Sequence, residues 1–474
     1  MIFTRFLSIA VVSLGVPLMS AGAAASAESP SNSLPEYRFE VGQEFVYFGS
    51  SEMTYDGGTF QTLSRSQFFV IAQNSDGTWE LLVRNARLFE QIRKNEDLAK
   101  AKAKMKKTLE KSDDQSVVRT FGRFRIDRHG RMHGLPAMAE VYAKVSHILV
   151  GLPQSWEEAE HGWTVVDTSL GESLVSRRSE SNVVTETVIK TLVQSSQNAV
   201  FEIEEDFTTT FDVESRLPRQ IMAKTVQNYA PKGESTTTVE LVGVKKHPIE
   251  WATMCAEETA KCDDVIQQHG KILEERNLDP AQLNEQLQQS RETLERLANR
   301  LKTDELKAAM LDQVVKWKQE QEHEVQSTTE RAAMIGTKSI SWKTTDLDGN
   351  EISVADFQGK VVVMDFWYRG CGWCIVAMPQ VKEIAEHFRD QPVAVLGMNT
   401  DERLENAKFV IEKLDLKYPN LKAEAIAEEY KLQGFPSLLI LDQKGTIRDV
   451  HIGYSQTLKD NVIRSVEKLL NAPP

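Results

Sequence analysis

Residues 361–367 read VVVMDFW, apolar at every position except Asp365. A run of strand length without alternation is buried on both faces, so it needs cover on each side and a layered α/β arrangement. Cys371-Gly372-Trp373-Cys374 follows, opening a helical pattern that continues through His387. The alternation then repeats. VAVLGMN is a second buried strand, ERLENAKFVIEKL a helix, and SLLILDQKGTIRDVHIG a hairpin turning at Gln443-Lys444-Gly445, before TLKDNVIRSVEKLL closes as a helix. Residues 335–474 are expected to form an α/β domain with a central sheet.

Upstream the pattern is different, and 474 residues exceed one ordinary core. From Phe39 to His247, strand-length segments such as QEFVYFGSSEMTY and TFQTLSRSQFFVIAQ are divided by Asp56-Gly57-Gly58 and Asn74-Ser75-Asp76-Gly77. A second set runs from NVVTETVIKTLVQ to STTTVELVGVKK. These hairpin signals predict a β-rich domain over 28–249: an open sheet, sandwich or half-barrel of about eight to ten strands. Residues 94–111, KNEDLAKAKAKMKKTLEK, read as a solvated helical insertion, with a basic arm for an acidic partner as the alternative. AMAEVYAKVSHIL, residues 137–149, has helical spacing.

Residues 250–334 change character again. Gly is absent from 271 to 335, and Asp279-Pro280 is a helix start with Asp as N-cap. Leu283, Leu287, Ser290, Leu294, Leu297 and Leu301 form a heptad-like stripe, and Thr303 is placed to cap a further helix. The stripe predicts a local helical hairpin or spacer; dimerisation is the alternative.

The first residues pair one cation, Arg5, with an apolar stretch from Phe6 to Met19 and small residues ending Ala25-Ser26-Ala27. That order predicts a secretory signal over 1–27, export to the periplasm or cell envelope, and no stable membrane insertion after cleavage. The net charge of −13 argues against nucleic acid as the main partner.

In an exported chain, four cysteines are too few for a disulfide scaffold. A zinc site needs four ligands, and neither Cys255 and Cys262 nor the scattered histidines supply a second pair at matching spacing. No metal is expected. A four-residue ring constrains too little chain to serve as a staple. What remains for Cys371 and Cys374 is a dithiol/disulfide couple. At a helix N-terminus the Cys371 thiolate is favoured, making it the attacking nucleophile, with Arg369 placed to lower its pKa further. Cys374, one turn in, is the resolving thiol. Asp365, on the buried strand, is its proton acceptor and donor.

VVVMDFWYRGCGWCIVAMP together with QGFPSLLILDQKGTI resembles the thioredoxin fold, in particular exported thiol–disulfide oxidoreductases of the TlpA/ResA type. IGTKSISWKTTDLDGNEISVADFQGK is similar to the opening strands that group shares with peroxiredoxins. The likeness covers residues 335 to 472 and implies no bound cofactor, protein thiol or disulfide substrates, and a redox partner dithiol. It matches Asp365 to a buried acid, Pro379 to a helix-kinking proline and Pro436 to a cis proline. Trp373, Gly434 and Phe435 are then substrate-binding, the Phe435 backbone being free to pair with a substrate strand. Two positions depart from the pattern: Gly370 replaces an aromatic, and Gly372-Trp373 replaces Gly-Pro or Pro-Pro. The peroxiredoxin motif P-x-x-x-T/S-x-x-C is not met before either cysteine. The alternative from another class is an envelope-binding protein whose β-rich domain carries the main role. Cys255 and Cys262 bridge only if the helix begins after them, near Asp263; otherwise they are separate buried thiols or an internal exchange pair.

Overall fold

The computed structural model describes residues 34–471 apart from 56–57, 93–96, 110–115, 135–144, 146, 168–172, 184–185, 195–199, 213, 229–231 and 276–277. The expected signal at 1–27 and most of the helical pattern at 137–149 lie outside the described residues. Among the described residues, no helix is long and apolar enough to cross a membrane.

The β-rich part is one open antiparallel sheet of eleven strands, more than expected. Its first strands are β1 (Gln43–Tyr55), β2 (Gly58–Gln73), β3 (Trp79–Ile92), β4 (Val118–Ile126) and β5 (Met132–Gly134). β6 (Trp163–Asp167), β7 (Ser173–Val183) and β8 (Glu186–Gln194) follow. β9 (Ile203–Asp212), β10 (Leu217–Gln227) and β11 (Gly233–Lys246) complete it. The order is β5-β4-β3-β2-β1-β11-β10-β9-β8-β7-β6, so pairing β1 with β11 joins two meanders. Alternation sorts the side chains. Phe68 and Val70 join an aromatic core with Tyr37, Phe39, Phe45 and Tyr47, while Phe69 and Ile71 point to the other face. The insertion is helical, α1 (Leu98–Leu109), but not fully solvated: Met105 and Leu109 pack on Leu63 and Leu88.

Two of three long helices, α2 (Ile249–Glu274) and α4 (Asp304–Met334), cover that other face, and α3 (Pro280–Ala298) packs on both of them. Asp279 and Gln282 form a capping box at the start of α3, as Asp-Pro predicts. The Thr303 side chain makes no capping bond to α4. Instead the Glu258 carboxylate of α2 accepts from the Lys302 and Thr303 amides at 2.8 and 3.1 Å, holding the chain where it enters α4. Leu294, Leu306, Met310 and Trp317 pack with Phe69, Ile71, Leu82 and Phe121 of the sheet. Arg84 and Asp312 are joined at 2.7 Å and Arg123 reaches Asp263. The helical segment is therefore packed on the sheet instead of spanning a gap as a spacer.

After a small hairpin of β12 (Lys343–Thr345) and β13 (Glu351–Ser353), the C-terminal part is α/β. Its sheet contains β14 (Val361–Trp367), β15 (Val393–Asn399), β16 (Asn420–Lys422), β17 (Ser437–Leu441) and β18 (Ile447–Ile452). The order is β16-β15-β14-β17-β18, with β14 central, parallel to β15 and antiparallel to β17. Helices α5 (Gly372–His387), α6 (Leu404–Leu414), α7 (Glu424–Glu429) and α8 (Leu458–Leu470) complete it. All seven β14 residues are buried. Val361, Val363 and Trp367 face one core with α5 and α8, while Val362, Met364 and Phe366 face another with Trp342 and Tyr430.

Leu294, fully buried where α3 meets α2 and α4, tests this packing. Leu294→Ala is expected to lower stability by about 2–5 kcal/mol, read as a fall in the urea midpoint.

Candidate active site

Central β14 delivers its C-terminal end, where α/β sheets place their sites, directly into the cysteine segment. The turn is closed by the Cys371 amide donating to Tyr368 O at 3.1 Å, and the Arg369 amide donates to Asp401 at 2.9 Å. Trp367 is pinned beneath it by its indole N–H donating to Asn420 at 3.1 Å. A Cβ at Gly397 would collide with that Asn420 side chain, so the close approach needs glycine.

Cys371 stands at the N-cap of α5, and its Sγ accepts from the Cys374 amide at 3.1 Å. The two cysteines are joined in a disulfide, with Cα atoms 5.2 Å apart. Cys371 is 6% exposed and Cys374 1%, so the first cysteine is the less deeply buried of the two. Pro379 lies inside α5.

Asp365 shares a strand face with Val361, Val363 and Trp367, the face packed against Cys371 and Cys374. Burial pushes its carboxyl up to about 7. Tyr418 lies in the same core; burial, and secondarily the Asp365 charge, raise its phenol well above the usual value.

The Phe435–Pro436 bond is cis, and β17 starts at Ser437, whose hydroxyl donates to Gly434 O at 2.7 Å. Gly370 leaves no aromatic immediately before Cys371, yet Tyr368 supplies a ring nearby. It meets Phe435 edge-on, centroids 5.3 Å apart, and a Cβ on Gly370 would press against it. Trp373 is 57% exposed and stacks on Tyr454 with centroids 5.3 Å apart.

The Redoxin family profile matches residues 329–468. The C-terminal part of the chain is a Redoxin domain. The thiol-disulfide oxidoreductase ResA of Bacillus thuringiensis subsp. konkukian is 29% identical over 122 residues, 25% of this chain and 70% of that protein. The thioredoxin-like protein YneN of Bacillus subtilis is 28% identical over 135 residues, 28% of this chain and 79% of that protein. A crystal structure of the thioredoxin domain of a thiol-disulfide oxidoreductase from Bacteroides vulgatus covers 28% of this chain and 97% of its own. Its identity is 29% and its TM-score 0.26. The Redoxin domain is a thioredoxin-like oxidoreductase domain.

Arg369 of the Redoxin domain is buried, and its guanidinium is engaged by Val200 O and the Glu202 carboxylate of the β-rich part and by the Phe409 ring. Neither Val200 nor Glu202 belongs to a motif; only their position after β8 brings them here. Cys255 and Cys262 are free. α2 begins at Ile249, ahead of both, so they stay about 10 Å apart on one helix: of the alternatives, the bridge does not form and the cysteines are separate buried thiols. Burial pushes both thiols up to about 12, which makes them inert. Elsewhere Glu44, His247 and Glu305 bring ligand atoms within 4.8 Å of one another. The Lys245 ammonium, 2.7 Å from Glu44, already balances that carboxylate, and Gln67 donates to its other oxygen.

The Asp365 carboxyl titrates near 7 in the fold against an ordinary 3.8. Between those values the folded chain holds a proton the unfolded chain has lost, so stability falls as pH rises through that window. Asp365→Asn removes the fall. Relative to wild type, the variant is expected to gain roughly 2–4 kcal/mol in urea unfolding above the window and nothing below it.

Proposed function

We propose that the chain is an exported thiol–disulfide oxidoreductase that reduces protein disulfides through Cys371 and Cys374. Its proposed organisation is a signal at 1–27, a β-rich domain at 28–249, a helical segment at 250–334 and the Redoxin domain at 335–474. The observation that carries the reading is the disulfide at the start of α5, with Asp365 on the buried strand face beneath it.

In the reduced form, the Cys371 thiolate is stabilised by the helix N-terminus and by the Cys374 amide. It attacks one sulfur of a substrate disulfide, forming a mixed disulfide and releasing the other substrate sulfur as a thiolate that takes up a proton. Asp365, ionised, takes the Cys374 proton. The Cys374 thiolate then attacks Cys371 Sγ, closing the disulfide and releasing the second substrate thiolate. Two electrons pass to the substrate, and a partner dithiol restores them without a bound cofactor. A carboxyl titrating near 7 is suited to both halves of that proton transfer. Phe435, Gly434 and Trp373, with Tyr368 and Tyr454 beside them, are the proposed contact surface for an extended substrate segment.

Cys374→Ala leaves the attacking thiol without its resolving partner. It is expected to accumulate disulfide-linked protein adducts at Cys371 in extracts of the source cells, visible on non-reducing gels and absent from the Cys371→Ser, Cys374→Ala double variant. Equal adducts in both would contradict the reading.

A further inference from the structure

Between β8 and β9, Val200 and Glu202 of the β-rich part lie against the turn that leads into Cys371. Val200 is fully buried in the apolar cluster that contains Trp367, Cys371 and Cys374. Its carbonyl accepts from Arg369 Nη2 at 3.1 Å, and the Glu202 carboxylate accepts from the same nitrogen at 2.9 Å. The Arg369 side chain is 8% exposed and that of Glu202 44%. Phe409 lies under the guanidinium at 4.1 Å, and Asn406 accepts from Nη1 at 3.5 Å.

The backbone at Glu202 adds an independent sign of constraint. Its φ of 51° lies in the left-handed region, disfavoured for a residue with a side chain. Its carbonyl accepts from the Asn228 amide at 3.0 Å, which ties it to the end of β10. A non-glycine residue in this conformation persists only where its surroundings hold it, and such positions cluster where side-chain placement matters.

The electrostatic consequence follows from position. A buried guanidinium two residues before the nucleophile favours the thiolate, while its half-exposed partner Glu202 is a charge that salt can reach. A carboxylate paired with that guanidinium cancels part of the field. We propose that Glu202 is a positioning residue for thiol–disulfide exchange: acting through Arg369, it fixes the turn before Cys371 and limits the positive charge that the Cys371 thiolate experiences. The β-rich part thereby sets the redox behaviour of the Redoxin domain. The inference rests on Cys371 being the attacking thiol.

The test is the pH dependence of iodoacetamide alkylation in the reduced full-length chain, resolved by peptide mass at each cysteine. Glu202→Gln keeps an acceptor and removes the charge; it is expected to move the Cys371 inflection down by about 0.5 pH unit. Glu202→Asp keeps the charge and is expected to stay nearer wild type. In an Arg369→Gln background, Glu202→Gln is expected to produce less than half that shift. No shift, an upward shift, or equal shifts in the two backgrounds overturns the proposal. Cys255 and Cys262, buried and inert, report folding by staying unlabelled. If Arg369→Gln loses that protection, Glu202→Gln and Glu202→Asp at low and high salt replace it: the Glu202→Gln shift must shrink at high salt or the proposal fails. Should Cys374 label ahead of Cys371 in every variant, the underlying reading fails instead, a distinct outcome.

Discussion

The C-terminal part is organised by a strand that has no exposed position. β14 must be covered on both faces, and the two cores that cover it supply the setting for the dithiol. A carboxyl on such a strand is almost stripped of water, so Asp365 is driven toward its neutral form and titrates near 7. The strand's end, pinned by the Trp367–Asn420 bond and the Arg369–Asp401 bond, then hands the chain to α5 with Cys371 already at the cap. Burial therefore both tunes the acid and aims the nucleophile.

Much of this was legible before the structure because its signals are local. The unbroken apolar run, the cysteines at a helix start and the Asp279-Pro280 cap each depend on a few adjacent residues, and each appears where expected. The sheet's extra strands were harder to see: β7 carries the unbroken polar run Arg177 to Asn182, which has no apolar-polar alternation to mark it as a strand. Nor could local patterning show that Glu258, far away on α2, would hold the Lys302 and Thr303 amides at the entry to α4. Cys255 and Cys262 turned on where α2 begins, a boundary that short-range signals place poorly.

What lay beyond sequence reasoning is the contact between the β-rich part and the Redoxin domain. Arg369 was placed by its motif next to Cys371, which suggested only an action on the sulfur. The structure surrounds it with Val200, Glu202 and Phe409, the first two separated from it by about a third of the chain. The sheet packs on the helices, and the segment just before its strand β9 touches the turn before the nucleophile, so the β-rich part is joined physically to the redox site.

The central claim is that Cys371 and Cys374 form a reversible couple while the other two thiols stay silent. The direct measurement is a redox titration of the full-length protein in glutathione and dithiothreitol buffers, with acid quenching and mass analysis of alkylated peptides. The account predicts one two-electron transition in which label appears on Cys371 and Cys374 together. Failure to reduce the pair across the accessible range, or a transition that labels folded Cys255 or Cys262, would contradict it.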